Sequence, residues 1–128
     1  MAHHLDPLLR PSSIAVVGAS TSEGVGRRIL ETLLHGQYPG ALYAINPKYE
    51  DVLGVPCFPD FASLPETVEH AVFAVSDHRL ETIFEEAVET GVKAMTIMSM
   101  LHIDNDMQPP LKERMQRRVQ ETGVMVCG

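Results

Sequence analysis

The stretch Val16-Val17-Gly18-Ala19-Ser20-Thr21-Ser22-Glu23-Gly24-Val25-Gly26 decides the fold. An apolar run, Ile14 to Val17, enters it as a buried strand. Glycine and serine then make a turn. An apolar-periodic segment leaves it as a helix, with Val25, Ile29, Leu30, Leu33 and Leu34 on one face and Gly36 as the stop. A strand–turn–helix junction of this kind gathers free backbone N–H groups and the positive end of the helix at one point, which suits a phosphate. Glycine there lets a bulky anion approach the backbone without meeting a Cβ.

Outward from this junction, apolar runs and helical patterns alternate. Leu42 to Ile45 reads as a second strand ended by Asn46-Pro47, and one short strand is expected near Cys57. Ala71 to Val75 reads as a third long strand. Ser76 or Asp77 can cap a helix whose inner face is Leu80, Ile83, Phe84, Ala87 and Val88, closed by Gly91. Ala94 to Met98 is a strand, and Leu101 to Gln108 a polar loop. Pro109-Pro110 opens a last helix carrying Leu111, Met115 and Val119 inward and closed by Gly123, and Val124 to Cys127 is the final strand. Continuous rather than alternating apolar strands imply burial on both faces. The expected fold is therefore α/β: a Rossmann-like, doubly wound, mainly parallel sheet of five to six strands with helices on both faces, forming a single domain over residues 1–128. Ligands of such sheets bind at the carboxyl ends of the strands, here just after Val17, Ile45, Val75 and Met98.

Bulk composition narrows the partners. With 45% hydrophobic and 21% charged residues, the chain has the makeup of a soluble globular domain. A net charge of −7 argues against a general nucleic-acid surface. No apolar run approaches the roughly 20 residues of a membrane span, and the N-terminus lacks the layout of a signal peptide. The two cysteines, Cys57 and Cys127, form no C-x-x-C pair and are expected as reduced thiols in a cytoplasmic protein. The six histidines are scattered and are read as surface or loop residues. No zinc or calcium pattern occurs. Glu85 and Glu86 are expected on a solvated helix face, Arg114, Arg117 and Arg118 on a solvated face or a contact with a further domain, and Met95, Met98 and Met100 as core filling.

Which phosphate compound fits is decided by what the turn lacks. A P-loop needs a lysine after its second glycine, and Gly18 is followed at that distance by Glu23-Gly24-Val25. An NAD fingerprint needs G-x-G-x-x-G and a carboxylate at the end of the second strand. The spacing of Gly18, Gly24 and Gly26 is wrong for it, and the second strand ends in Asn46-Pro47-Lys48. Lys48 offers a cation where a ribose would lie, which suits a phosphorylated ribose such as that of NADP or coenzyme A. Arg27 and Arg28 stand in the first helical turn, where a cation opposes the macrodipole, and they make sense there with an anion bound between them and the turn.

Taken together, Pro11 to Ser20, Gly24-Val25-Gly26-Arg27, Tyr43 to Lys48, Val52-Leu53-Gly54-Val55-Pro56 and Leu64-Pro65 resemble the N-terminal CoA-binding domain of NDP-forming acyl-CoA synthetases. The resemblance runs from about Asp6 to Cys127. It implies that Gly18, Ala19, Ser20, Gly24, Val25, Gly26 and Arg27 hold the phosphates of coenzyme A. It also implies that Asn46 and Lys48 serve the adenosine 3′,5′-diphosphate end, and that Val75, Ser76, Ser99 and Met100 line the adenine and pantetheine path. Two positions depart from the family pattern: Ser76 replaces a common proline, and Met100-Leu101-His102 replaces a segment with glycine, so that Leu101 is expected to narrow or reshape the pantetheine channel. The family pattern continues into a phosphohistidine domain and an ATP-grasp unit. The chain is thus expected to bind coenzyme A and position its thiol for acyl transfer, with further ligase domains or an ATP-grasp subunit as partners, and to be inactive alone, with no catalytic residue of its own. Two alternatives stand beside this reading: a stand-alone CoA- or nucleotide-binding regulatory module, and an NADP-binding oxidoreductase domain.

Overall fold

The computed structural model describes residues 6–99 and 101–127. A short helix α1 (Asp6–Leu9) precedes strand β1 (Ser13–Val17), helix α2 (Val25–His35) and strand β2 (Ala41–Ile45). A hairpin of β3 (Asp51–Val52) and β4 (Val55–Phe58) follows. Then come β5 (His70–Phe73), α3 (Asp77–Thr90), β6 (Ala94–Ile97), α4 (Leu111–Thr122) and β7 (Met125–Cys127). The sheet order is β3-β4-β2-β1-β5-β6-β7. All pairings are parallel except β3 with β4, where Val52 faces Val55. The sheet thus has seven strands, not five to six. The extra strand comes from a tight hairpin around Leu53-Gly54, both with positive φ, a signal too short to show as periodicity. Helix α1 is likewise absent from the sequence expectations.

β1 explains the doubly wound form. Its five residues are all buried, because the sheet is covered on both faces. From β1 the chain moves to β2 on one side and later to β5, β6 and β7 on the other. Two apolar clusters result. Ala15, Val17, Phe73, Leu80, Phe84, Met95, Leu111 and Met115 pack on the α3–α4 side. Ile14, Val16, Ala19, Leu30, Ala44 and Val72 pack on the α2 side. Each fully buried large side chain contributes about 2 kcal/mol from leaving water. Helices α3 and α4 end at Gly91 and Gly123 in left-handed caps, as the sequence predicts.

Several surface expectations are corrected by the packing. Arg114 forks onto the Glu81 carboxylate at 2.8 and 3.0 Å and reaches Asp106 at 3.1 Å and the Pro109 carbonyl at 2.7 Å. Arg118 forks onto Glu85 at 2.7 Å. These arginines and Glu85 therefore join α3 to α4; they are not a free solvated face. Asp106 also receives the N–H groups of Leu111 and Met107, capping α4. Its partial burial acts to raise its pKa, but those donors and the Arg114 guanidinium outweigh it and hold the carboxyl below the ordinary aspartate range. His70 is buried at 6% exposure and is no surface residue. Met95 is core, whereas Met98 is 48% exposed, because β6 ends at Ile97 and leaves the next side chain beyond the sheet. Met100 lies outside the described residues. The two cysteines are free, Cys57 buried and Cys127 exposed.

Candidate ligand-binding site

The loop between β1 and α2 is held from several sides. Gly18 donates its N–H to the Ile45 carbonyl at 3.0 Å. Asn46 donates from Nδ2 to the Ala19 carbonyl at 3.1 Å, and its Oδ1 accepts the Lys48 N–H at 3.0 Å. The Ser20 hydroxyl accepts the Ser22 N–H at 3.2 Å. Arg27 bonds the Thr21 carbonyl through one terminal nitrogen and Glu31 through Nε at 3.2 Å. The loop is therefore preformed. Arg27 thus has protein partners on both sides, the Thr21 carbonyl and the Glu31 carboxylate.

The glycines divide by purpose. Gly18 has φ +91, and a Cβ there would overlap the Ala74 carbonyl. A Cβ on Gly26 would lie 2.5 Å from the Gly18 carbonyl oxygen. Both glycines thus let backbone pack on backbone, joining β1, α2 and the end of β5. Gly24 differs: nothing lies within 4 Å of where its Cβ would be. It also occupies the N-cap of α2, and no side chain caps that end. The N–H groups of the first turn have no capping side chain. Of the glycines in the loop, Gly24 is the one where an incoming anion would replace a missing side chain.

Beside this loop lies a crevice of about 410 Å³. It opens at the carboxyl ends of β1, β2 and β5. Its apolar lining comes from Val17, Ile45, Pro47, Pro59, Val75 and Ile83. Asp60, His78, Arg79 and Glu86 supply its ionisable groups. A second hollow sits at the start of α2, between Glu23, Gly24, Arg27, Arg28 and Glu31.

The structure brings together part of the expected set. Gly18, Asn46 and Val75 line the crevice, and Gly24 and Arg27 line the neighbouring hollow. Ala19 is fully buried in the α2-side core and offers only its backbone. Val25 faces an apolar groove with Ile29, Leu33 and Met98. Lys48 is exposed and stands outside the lining of both hollows. Ser76 occupies the N-cap of α3 without making a side-chain cap bond. Ser99 donates to Asp77 and accepts the Leu101 N–H at 2.9 Å, while Asp77 also accepts the His102 N–H at 3.2 Å. That network ties the β6–α4 loop to the start of α3. Leu101, with φ +54, packs on the α3–α4 core and lines a separate hollow with Ile97, Met115 and Val119. It does not line the crevice. The sequence reading missed Arg79 and Glu86. With Thr82 and Ile83 they stand at i, i+3, i+4 and i+7 on α3, a stripe beside the core face that meets the strand ends.

Among the described residues no helix is long and apolar enough to cross a membrane, and no cluster of His, Cys, Asp and Glu is placed to hold a metal. A parallel sheet with a preformed glycine loop, an uncapped helix start and a crevice at the point where strand order reverses defines a nucleotide-type ligand-binding domain. The model of one such family, described as the CoA binding domain, matches residues 12–128, and the chain belongs to that family. An ADP-forming acetate–CoA ligase from Archaeoglobus fulgidus is 35% identical over 96 residues, covering 74% of this chain and 14% of the relative. The chain thus spans only a small part of the length of that relative. Among solved structures, a dinucleotide-forming acetyl-coenzyme A synthetase from Ca. Korarchaeum cryptofilum superposes with a TM-score of 0.83 at 31% identity, covering 97% of this chain and 27% of that one. A conserved hypothetical protein from Pyrococcus furiosus superposes with a TM-score of 0.73 at 28% identity, covering 89% of this chain and 90% of that one.

Proposed function

We propose that this domain binds coenzyme A, with the pyrophosphate against the open first turn of α2 at Gly24 and the nucleotide end in the crevice. Within a longer NDP-forming acyl-CoA synthetase it would hold the coenzyme A thiol where an acyl phosphate can reach it. The single observation carrying this is the pairing of an uncapped, Cβ-free helix start with an adjoining crevice at the strand-order reversal, in a chain that belongs to the CoA binding domain family. Its contribution would be binding and orientation; acid–base work would lie elsewhere. Gly18, Ala19, Ser20, Val25 and Gly26 shape the loop, Asn46 locks it to β2, and Val75 lines the nucleotide side. Lys48 would pair with a ligand phosphate from the rim. Ser76, Ser99 and Met100 would border the pantetheine path. Further ligase domains or an ATP-grasp subunit would supply the phosphoryl chemistry.

Titration calorimetry with coenzyme A, dephospho-coenzyme A and NADPH tests the assignment. Coenzyme A should bind most tightly. Tighter binding of NADPH would replace this reading with an oxidoreductase one. Equal binding of dephospho-coenzyme A, or unchanged binding in Lys48→Ala, would remove Lys48 from the site. A second reading is favoured by the Pyrococcus furiosus neighbour, of which this chain covers 90%: a stand-alone ligand-binding module of the same size. Whether an ATP-grasp segment is encoded in the same gene or a neighbouring one separates the two.

A further inference from the structure

We propose that Arg79 is the crevice's phosphate-pairing cation and sets its preference for phosphorylated ligands. This deepens the coenzyme A reading and rests on it. Four ionisable side chains line the crevice: Asp60, His78, Arg79 and Glu86. Two are carboxylates. These repel an anion unless the one guanidinium in the lining offsets them. Lys48 stands outside this lining.

Arg79 is also uncommitted. Arg27, Arg114 and Arg118 each spend their guanidinium on a carboxylate of the protein. Among the described residues Arg79 has no side-chain hydrogen bond or ion pair; only its backbone N–H is engaged, with the Ser76 carbonyl at 3.0 Å. Its helical position fixes where it faces. Leu80, Phe84 and Ala87 are buried and set the rotation of α3. That rotation puts Arg79, Thr82, Ile83 and Glu86 along the crevice wall. A planar fork of five donors on that wall matches two phosphate oxygens at once. Asp60 is less repulsive than its charge implies, because Oδ1 accepts the Ser63 N–H at 2.9 Å and hydroxyl at 2.7 Å. Glu86 has no such partner among the described residues and is the residue Arg79 must outweigh.

The test is calorimetry on the full chain with coenzyme A, dephospho-coenzyme A and inorganic pyrophosphate, using Arg79→Gln, Arg79→Lys and Glu86→Gln. Arg79→Gln should weaken coenzyme A binding at least about tenfold, the size of a charge-assisted hydrogen bond to a phosphate. Arg79→Lys should recover part of that loss, and Glu86→Gln should tighten binding. The melting temperature should not move in Arg79→Gln, since its side chain is exposed and unpaired. Wild-type affinity in Arg79→Gln overturns the proposal. If the wild type binds no coenzyme A but binds pyrophosphate in an Arg79-dependent way, the Arg79 role stands and the coenzyme A reading falls. If the wild type binds none of the three, both fall.

Discussion

Gly18 and Gly24 look alike in the sequence and do different work. At Gly18 a side chain would be strained by the positive φ and would collide with the Ala74 backbone. Gly18→Ala should therefore cost about 2–4 kcal/mol of stability, measured by chemical denaturation. At Gly24 the backbone is extended and the space is open. Gly24→Ala should change stability by less than about 0.5 kcal/mol, while weakening a ligand whose phosphate needs that space. Equal destabilisation by both would contradict this division. His70 is the other residue whose role only its surroundings reveal. Its Nδ1 lies 3.0 Å from the Pro7 carbonyl, which can only accept, so Nδ1 carries the proton. Nε2 then accepts from the Thr96 hydroxyl at 2.8 Å. Burial, opposed only in part by the Pro7 bond, holds its pKa below the ordinary 6.5. Below pH 6.5 the unfolded chain takes up this proton before the folded one does. The stability contribution is therefore complete above that pH and declines as pH falls through the native pKa. An NMR titration of the ring carbons should give His70 a midpoint under 6.5; a midpoint at or above it would show the ring to be solvated.

At the scale of elements, α3 and α4 are joined by two arginine forks that differ in burial. Arg114 is 14% exposed at its side chain and Asp106 10%, whereas Arg118 is 38% exposed. A pair shielded from water leaves uncompensated charge when one partner is removed; an exposed pair is screened and contributes little. Arg114→Met should lower the melting temperature clearly, and Arg118→Met should hardly move it. Equal effects would mean that the Arg114 network is as solvated as its neighbour. The Arg114 result should also shrink in acid. The Asp106 carboxyl is held below its usual range, so its contribution is present above the unfolded aspartate pKa of about 3.9 and is lost as pH falls through the native value. The same network closes the loop after β6, because Asp106 caps α4 through the Leu111 N–H at 2.7 Å.

For the molecule as a whole, the expected sign of charge and the observed site are compatible only because charge is arranged locally. A chain of net charge −7 can hold an anion where helix N–H groups and local guanidinium groups face it. Ligand that binds the native state alone stabilises it by about 2.7 kcal/mol at a hundredfold excess over Kd. Coenzyme A at that level should raise the melting temperature by on the order of 10 °C, read by differential scanning fluorimetry. A flat response to coenzyme A would count against the proposed function at the level of the whole domain. The site was partly legible beforehand. Gly18, Asn46 and Val75 reach the crevice because each stands at a strand end, and strand ends show in the sequence as the close of an apolar run. Arg79 and Glu86 were not legible, since a charged residue on a helix reads as solvated until the helix's neighbours are known.

The sequence by itself determined the alternation of strands and helices, the buried parallel sheet, the caps at Gly91 and Gly123, and the glycine turn entering α2. All of these follow from local periodicity and backbone preference, which act within a few residues. Only the tertiary structure decided the surroundings of each glycine, the partners of Arg27, Arg114 and Arg118, the burial of His70, and the position of Arg79 in the crevice lining with Lys48 outside it. Those depend on contacts between segments tens of residues apart, and on how the burial of Leu80 and Phe84 rotates α3. No local pattern encodes such distances.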